Sequence, residues 1–495
     1  MKELLLFKSL LITLSSFAQK EADHWVFGVR VGLNFNNNYP NVFKSRVGSQ
    51  MEMSRATAVI SDKSTGELLF YTDGFTVWNS SHSVMTGGTG LRGVESAIGR
   101  AVIQSIIIVP VPGTPSQFYL FYLHNNDSIS PDFMELYFSR IDMEYNDGLG
   151  RVVETSKNVL VANELALKIT AIPHSNGTDF WLITHGMNNN NFYVHAITQE
   201  GVSSPVVIPI GTTYVYEERG QNLSGAIKAS PNGKHLAVST SSSIPRPFEL
   251  FDFDPATGEI TNARSLGDFS TQYGVSFSPD NTKLYLKALN DRDVTHQFDL
   301  LEENVAGSRV GMYVENPLFP GLGGRPTSSM ELAPDGKIYI GGGTSEEKPG
   351  VSFEESLKGL VVIHNPNMKG VAANVEEVEL PLQEDQLVWI SLPNFIQNTF
   401  NGLMPANNPN APCNDEIGID LYPNPAEGHI TLEVAERCFS AYTLTFYNTT
   451  GQRMGEHFVD QQEFGPIDVQ SFKRGLYFAV LEFADRRIVK RFVKL

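Results

Sequence analysis

The sequence predicts an all-β protein in which one small β-sheet unit is repeated. Three stretches carry this prediction, namely SPNGKHLAVSTS from Ser230, SPDNTKLYLKAL from Ser278 and APDGKIYIGGGT from Ala333, which begin about 50 residues apart. In each, Pro and an Asn- or Asp-containing turn precede a short apolar alternation, as in a β-hairpin. One isolated hairpin is only marginally stable in water, so the recurrence indicates stacked units. About four strands per ~50 residues is the size of one β-propeller blade.

Weaker copies extend the repeat toward the N-terminus. They are VISDKSTGELLFYTDG from Val59, IVPVPGTPSQFYLFYL from Ile108 and AIPHSNGTDFWLITHG from Ala171. Two fragments remain, because HWVFGVRVGLNF from His24 has no first strand and ISLPNFIQNTF from Ile390 has no later ones. A closed ring uses both fragments if they share a blade, and closure removes exposed sheet edges. We therefore predict a propeller over residues 19–400 with seven blades, the last one composite; six blades is the alternative count.

The charge balance and the N-terminus indicate an exported protein. The 55 acidic residues exceed the 37 Lys and Arg residues, and a net charge of −18 argues against nucleic acid or an anionic membrane as a partner. Residues 1–18 contain Lys2, an apolar stretch and a small-x-small ending at Ala18, the layout of a signal peptide cleaved before Gln19. A buried N-terminal strand is the alternative interpretation. No later apolar run reaches the ~18 residues of a transmembrane segment.

A change of composition near residue 401 predicts a second domain. Residues 401–418, NGLMPANNPNAPCNDEIG, are rich in Pro and Asn and indicate a linker. Residues 419–495 show alternating apolar positions and Gly-containing turns, which predict a small β-sandwich. The two cysteines, Cys413 and Cys438, allow one disulfide in an exported protein, or two separate thiols.

Few residues suggest chemistry. His174, His185 and His195 occur close together in sequence, but without the fixed spacing of a metal site, and His185-Gly186 stands where other repeats have a turn. A Gly-x-Ser-x-Gly nucleophile motif is absent, and the Gly-rich stretches lack the strand-to-helix context of phosphate binding. We therefore expect no catalytic residues, no cofactor and no metal, and the sequence favours a protein that is not an enzyme.

The C-terminal stretch resembles a known family. LYPNPAEGHITLEV, YNTTGQRM and IDVQSFKRGLYFAVLE, followed by a basic ending, are similar to the C-terminal sorting domain of type IX secretion (the Por secretion system) in Bacteroidetes. The resemblance implies export to the periplasm by the Sec pathway, recognition by the type IX translocon, and delivery to the outer cell surface or the medium. It implies a sorting signal formed by Tyr422, Pro423, Asn424, Pro425, Gly451, Gln452, Gly475, Leu476, Tyr477, Lys490, Arg491 and Lys494.

The preceding part, from HWVFGVRVGLNFN to Leu392-Pro393-Asn394-Phe395, resembles the large β-propeller domain found ahead of such sorting domains. That domain generally has no assigned activity, so the resemblance implies the fold and leaves the function open. A binding or adhesion module for an extracellular glycan or protein is the first functional hypothesis. The alternatives are an extracellular hydrolase or lyase with its active site at the mouth of the propeller channel, and a structural component of the cell surface.

Overall fold

The computed structural model describes most of the chain between residues 20 and 495. The described residues are 20–36, 41–42, 51, 56–94, 103–125, 133–215, 224–242, 244–290, 292–312, 328–341, 358–388, 390–401, 403, 419–422, 425–434, 441–459, 466–483 and 487–495. Contacts divide the chain into two compact units, Met1–Leu403 and Met404–Leu495. The first contains the repeated sheets and the second the C-terminal strands.

Groups of mainly antiparallel strands follow one another along the first unit, and the three groups between Ala58 and Pro209 are joined by hydrogen bonds into one 13-stranded sheet. A three-stranded sheet contains β1 (His24–Phe27), β2 (Val31–Asn34) and β3 (Asn41–Val42). Blade 1 contains β4 (Ala58–Ser61), β5 (Leu68–Thr72), β6 (Thr76–Asn79) and β7 (Val84–Thr89). Blade 2 contains β8 (Ile106–Val111), β9 (Thr114–Asn125), β10 (Met134–Asp142) and β11 (Arg151–Val152). Blade 3 contains β12 (Val159–Pro173), β13 (Phe180–Gly186), β14 (Asn191–Thr198), β15 (Gly201–Val202) and β16 (Val206–Pro209).

Three four-stranded sheets complete the series. Blade 4 contains β17 (Gly225–Ala229), β18 (His235–Thr240), β19 (Arg246–Asp254) and β20 (Glu259–Phe269). Blade 5 contains β21 (Gln272–Phe277), β22 (Lys283–Asn290), β23 (Arg292–Asp299) and β24 (Val310–Met312). Blade 6 contains β25 (Met330–Leu332), β26 (Ile338–Ile340), β27 (Gly359–Ile363) and β28 (Val375–Glu379). The described helical segments are short 3₁₀ turns at Glu154–Ser156, Ala306–Ser308, Gly370–Ala373 and Gln397–Phe400.

The repeated turns have one common chemistry. In three hairpins the residue before the Gly or Asn of the turn accepts a backbone N–H two positions further on, as in Lys234 N to Asn232 Oδ1 at 3.0 Å. The turn positions Gly233, Asn281 and Gly336 all have positive φ, between 63° and 73°. That conformation suits Gly and Asn, which explains why the sequence repeats these residue types.

The first strand of each blade packs against the first strand of the next, so β4, β8, β12, β17, β21 and β25 follow one another as inner strands. Residues 390–394 fill the remaining position. Ser329 N donates to Ile390 O at 2.8 Å beside β25, and Asn394 N donates to Thr57 O at 3.1 Å beside β4. Thr57 and Pro393 form a parallel bridge. The described inner strands therefore form a closed circuit of seven.

The N-terminal strands belong to the blade that closes this circuit. Val29 and Leu387 exchange two backbone hydrogen bonds, at 2.9 and 3.1 Å, which join the β1–β2 connection to the residues before the closing strand. Trp25 on β1 is completely buried, and its ring lies 5.9 Å from that of Phe395 and 5.6 Å from that of Tyr339. Blade 7 is therefore composite, and the prediction of a seven-bladed propeller is confirmed.

The second unit is a two-sheet sandwich. One sheet has the order β29 (Ile419–Tyr422), β30 (His429–Val434), β33 (Ile467–Asp468). The other has the order β32 (Arg453–Val459), β31 (Tyr442–Asn448), β34 (Gly475–Phe483), β35 (Arg487–Lys494). Inward-facing aromatic and aliphatic side chains of both sheets form one core. The predicted β-sandwich is confirmed, whereas the proposed signal peptide, Cys413 and Cys438 lie outside the described residues.

Candidate functional site

Two inner strands place a buried ion pair inside the ring. Lys228 on β17 and Glu331 on β25 extend from blades 4 and 6, and Lys228 Nζ lies 2.5 Å from Glu331 Oε2. Their side chains are only 4% and 2% exposed. Gln397 donates to the other carboxylate oxygen at 2.7 Å. Burial raises the pKa of the Glu331 carboxyl, and the adjacent Lys228 charge opposes that rise.

Two amides fill the rest of this space. Gln104 exchanges two hydrogen bonds with the backbone of Ile227, each 2.7 Å long. Asn394 donates from Nδ2 to the carbonyl oxygens of Ile106 at 3.0 Å and Ile169 at 3.4 Å. With the ion pair, these side chains leave a cavity of about 10 Å³, about the space of one water. The described part of the channel is therefore filled by side chains that bond to one another and to the backbone of the inner strands.

A second buried polar cluster lies between blades 3 and 4. Lys168 on β12 is completely buried, and its Nζ donates to Ser239 O at 2.8 Å and lies 3.4 Å from Thr240 Oγ1. The ammonium group lies 4.4 Å from the ring centroid of Tyr214, in a cation–π contact. The His185 ring packs on the same tyrosine, 4.1 Å away between centroids. The lysine is thus held by a carbonyl, a hydroxyl and a ring, with no described carboxylate at ion-pair distance.

Burial shifts the titration of this cluster toward neutral forms. It lowers the pKa of Lys168 to about 7, although the charge of Glu249 opposes the change. Burial also lowers the pKa of His185 to about 3, and the Lys168 charge contributes to that decrease. The pKa of Tyr214 is raised by burial and by Glu249. The cluster is therefore a place where charge is costly unless a counter-charge is supplied.

The segment that contains Tyr214 is fixed by its backbone. Asn188 N donates to Tyr214 O at 2.6 Å, and Tyr214 N donates to Asn189 O at 3.1 Å. Thr212 N donates to Glu249 Oε1 at 3.0 Å. These bonds connect the segment to the β13–β14 turn of blade 3 and to β19 of blade 4. They leave a narrow surface crevice with no space for a water molecule, lined by Thr212, Thr213, Tyr214, Thr240, Arg246 and Pro247.

The three histidines singled out in the sequence do not come together. His174 stacks on Trp181 at 5.1 Å and accepts a backbone N–H at a hairpin turn. His185 is buried under Tyr214 rather than exposed in a turn, and His195 donates from Nδ1 to Ser203 O at 2.8 Å. Within the described residues, no group of three or more His, Cys, Asp or Glu side chains is placed to hold a metal ion.

Several residues of the expected sorting signal shape the sandwich itself. Gly451 adopts a φ of 77° in the β31–β32 turn, and Gln452 N donates to Asn448 Oδ1 at 2.9 Å in the same turn. Tyr477 is buried, and its hydroxyl donates to Lys473 O at 2.8 Å. Gly451 and Tyr477 therefore contribute to the fold of the domain.

The remaining signal residues divide between the interior and the surface. Lys494 is buried with Nζ 2.6 Å from Leu495 O, and Lys490 is half-buried on the same inward side of β35. The exposed members are Pro425, Gln452, Gly475, Leu476 and Arg491. Tyr422 lies in β29, whereas Pro423 and Asn424 fall outside the described residues.

These observations define a seven-bladed β-propeller joined to a small β-sandwich. Residues 420–495 match the model of the secretion system C-terminal sorting domain. The chain is therefore a cargo of type IX secretion that is delivered to the cell surface or the extracellular space. Within the described residues, no helix has the length and apolar character needed to cross a membrane.

Solved structures that resemble the chain are distant. A periplasmic gluconolactonase of Pseudomonas aeruginosa has 10% identity and a TM-score of 0.42, over 75% of this chain and 97% of that one. A protein from Lactobacillus plantarum has 11% identity and a TM-score of 0.40, over 75% and 99%. A quinoprotein alcohol dehydrogenase-like protein from Bacteroides thetaiotaomicron has 10% identity and a TM-score of 0.35, over 76% of each chain. Structural similarity at these identities and TM-scores does not assign an activity to this chain. No curated protein matches it.

The buried polar residues of the propeller do not belong to any recognisable sequence motif. Lys168 lies in ANELALKIT, which reads as an ordinary strand with a solvated lysine, and Gln104 precedes an apolar strand. A lysine at an inward position of an alternating strand is the one signal that could have indicated Lys168. Its burial depends on residues more than 70 positions away, which local patterns do not connect.

The Lys168 cluster predicts a pH-dependent stability. Because the folded pKa is about 7 and the ordinary value 10.5, the unfolded chain binds more protons between these pH values, and stability rises with pH. Replacing Lys168 with Met should remove a slope of up to about 1.4 kcal/mol per pH unit between pH 7 and 10. Melting temperatures of wild type and variant across this range measure the effect.

Lys283→Met is the matched control, because Lys283 is a buried lysine paired with Asp299 at 3.2 Å. It should lower the melting temperature at every pH and leave the slope in place. An unchanged slope in the Lys168→Met variant would show that this lysine stays protonated in the folded protein.

Proposed function

We propose that the propeller is a binding module displayed outside the cell, for an extracellular glycan or protein. The filling of the channel by mutually bonded side chains carries this proposal. A hydrolase or lyase with its active site at the channel mouth needs acidic groups available to a substrate. Both oxygens of Glu331 are already bonded, to Lys228 and to Gln397. The described channel thus supports a rigid scaffold and offers no free carboxylate of its own.

One face of the ring is suited to recognition. We define the loop face as the face on which the inner strands begin. The strand ends that flank the longest interstrand sequences, residues 43–57, 90–105, 210–224, 313–329 and 341–358, all lie on this face. The opposite face carries mainly the short repeated turns. Long connections on a rigid sheet framework are where binding residues are usually found, so we assign the ligand to the loop face.

The N-terminus completes the proposed export route. We infer that residues 1–18 are a signal peptide cleaved before Gln19, in a Bacteroidetes host, with residues 19–400 forming the propeller domain and 401–418 the linker. The apolar stretch and small-x-small ending support the signal peptide. The order of the domains supports the route, since type IX cargo reaches the translocon from the periplasm.

The binding proposal predicts that the protein retains its ligand without converting it chemically. Purified exported protein should bind a subset of glycans or proteins on an array and leave the bound material chemically unchanged, as judged by mass spectrometry of the recovered ligand. Release of shortened or unsaturated saccharides, or of peptide fragments, would favour the hydrolase or lyase. Absence of any bound partner would favour the structural role.

Strand β35 is the proposed contact with the translocon. Ile488 and Phe492 face the core, at 4% and 0% exposure, whereas Arg487 and Arg491 lie on the outer face. Deletion of the strand would remove core residues and would test folding and recognition together. A change of charge on the outer face tests recognition separately from folding, because it leaves the core residues unchanged.

We expect the double substitution R487E/R491E to leave the melting temperature of the sandwich nearly unchanged and to reduce surface delivery strongly. A basic strand can steer and select its partner through charge. Immunodetection on intact cells against periplasmic extracts gives the measurement. Arg453→Glu is the matched control, since Arg453 is an exposed arginine on β32 of the same sheet, 63% exposed. Equal surface delivery of R487E/R491E and the control would show that the translocon does not recognise these charges.

A further inference from the structure

The connection between β10 and β11 carries an exposed aromatic ring on the face opposite to the loop face. Strand β10 ends at Asp142 and β11 begins at Arg151, so residues 143–150 lie on the side where the inner strands end. Among the described residues of the propeller, Tyr145 is the most exposed Phe, Tyr or Trp, at 42%. Rigidly held tyrosine rings at a surface are frequent contact residues in binding sites.

Arg151 holds this ring in place. Its guanidinium carbon lies 4.8 Å from the ring centroid of Tyr145, in a cation–π contact. The guanidinium is fixed in turn by Asp142, whose Oδ2 accepts from Nε at 3.2 Å and from Nη2 at 3.0 Å. Gly150 N donates to Tyr145 O at 3.0 Å and closes the loop. One face of the ring is thus covered by a fixed side chain, and the other can receive a ligand without a prior change of conformation.

The neighbouring strand of blade 1 extends this surface. Thr86 on β7 is the direct partner of Arg151 in the parallel β7–β11 pair. Directly opposed residues, and residues two positions apart, point to the same side of a sheet. Thr86 and Val84 therefore lie on the side of Arg151, and Val84 is 51% exposed. Apolar area from blade 1 thus adjoins the tyrosine of blade 2.

Two polar side chains of the loop are available to a ligand. Asn146 and Asp147 are exposed, and within the described part of the chain neither side chain has a hydrogen-bond partner. Their backbones adopt φ angles of 54° and 52°, which place both residues in the left-handed region beside Tyr145. An amide and a carboxylate next to an aromatic ring supply the donors and acceptors that hydroxyl groups need.

The charge of this surface disfavours an acidic ligand. The only described basic group in the loop region, Arg151, is paired with Asp142. Glu144 and Asp147 add two exposed carboxylates, and neither has a basic partner at ion-pair distance among the described residues. Like-charge repulsion would therefore oppose uronate, sulfate or phosphate groups at this place.

We propose that the surface formed by Tyr145, Asn146 and Asp147, with Val84 and Thr86 beside it, binds a neutral saccharide unit. The C–H groups of a pyranose ring pack on the electron-rich face of tyrosine, and its hydroxyl groups pair with the amide and the carboxylate. This inference goes beyond the proposed loop-face ligand, because it assigns a second site on the opposite face. A protein with two such sites can contact one polymer at two places, which raises its avidity.

The test is native affinity electrophoresis of the full exported chain in gels that contain galactomannan, xyloglucan or mixed-linkage β-glucan, with polygalacturonate as the acidic counterpart. At least one neutral polysaccharide should retard the wild-type chain, and polygalacturonate should not. Tyr145→Ala should raise the Kd for the neutral polymer about fivefold, and Tyr145→Phe, which keeps the ring, should restore it. Phe458→Ala is the matched control, because Phe458 is an exposed aromatic residue of the sandwich, at 68%.

A second variant tests the polar part of the surface. N146G/D147G removes both side chains and keeps the backbone, since Gly readily adopts a positive φ. It should raise the Kd about threefold through lost hydrogen bonds and leave the melting temperature unchanged. An unchanged Kd in this variant would overturn the assignment of Asn146 and Asp147 to the site.

The outcomes separate this inference from the proposed function. No retardation by any of the three neutral polysaccharides, or equal Kd values for wild type and a folded Tyr145→Ala variant, overturns the saccharide site. Retardation by polygalacturonate, or retention of a protein on the array, that Tyr145→Ala abolishes also overturns it. The loop-face proposal stands in each case if Tyr145→Ala still retains a ligand on the array, and it fails if the wild-type chain retains none.

Discussion

Closure of the propeller by two distant chain segments is the constraint on which the rest of the structure depends. Val29 and Leu387 exchange backbone hydrogen bonds, and Gln386 Nε2 donates to Arg30 O at 2.7 Å across 356 positions of sequence. The closing strand then lies between β4 and β25, so each of these inner strands gains a neighbour. A ring without this strand would have two open edges, with unpaired backbone groups on both sides. Closure thus converts a series of marginal sheets into one cooperative unit.

The same segment also organises the centre. Asn394 ends the closing strand and bonds to inner strands of blades 2 and 3. Gln397 follows the closing strand and bonds to Glu331 of blade 6. A buried ion pair is tolerated only when its desolvation is offset by good geometry and additional hydrogen bonds, and Gln397 supplies one of these. The consequence for function is direct. Because closure fills the described part of the channel, the binding function that we propose is assigned to the loop face.

The sequence predicts the architecture well because its signals are local. Turns such as Asn232-Gly233 and Asp335-Gly336 need particular residue types for a positive φ, and the repeat exposes them. The composite blade follows from two leftover fragments and from the cost of open edges. The polar interior could not be predicted, since Lys168 and Gln104 gain their roles from partners on other blades. The sorting signal in the sandwich is visible as a sequence pattern, whereas the division of its residues between core and surface depends on the register of β34 and β35.

Hydrogen exchange of the full chain tests shared-blade closure most directly. Amides of β1, β2 and residues 390–394 should exchange with the same free energy of opening as those of β17 and β18, because the ring opens only as a whole. Mass spectrometry of peptides from these regions, followed over increasing denaturant, gives the comparison. A clearly lower free energy of opening for the closing-blade peptides than for the β17–β18 peptides would contradict the account. The composite blade would then unfold separately from a ring that is stable without it.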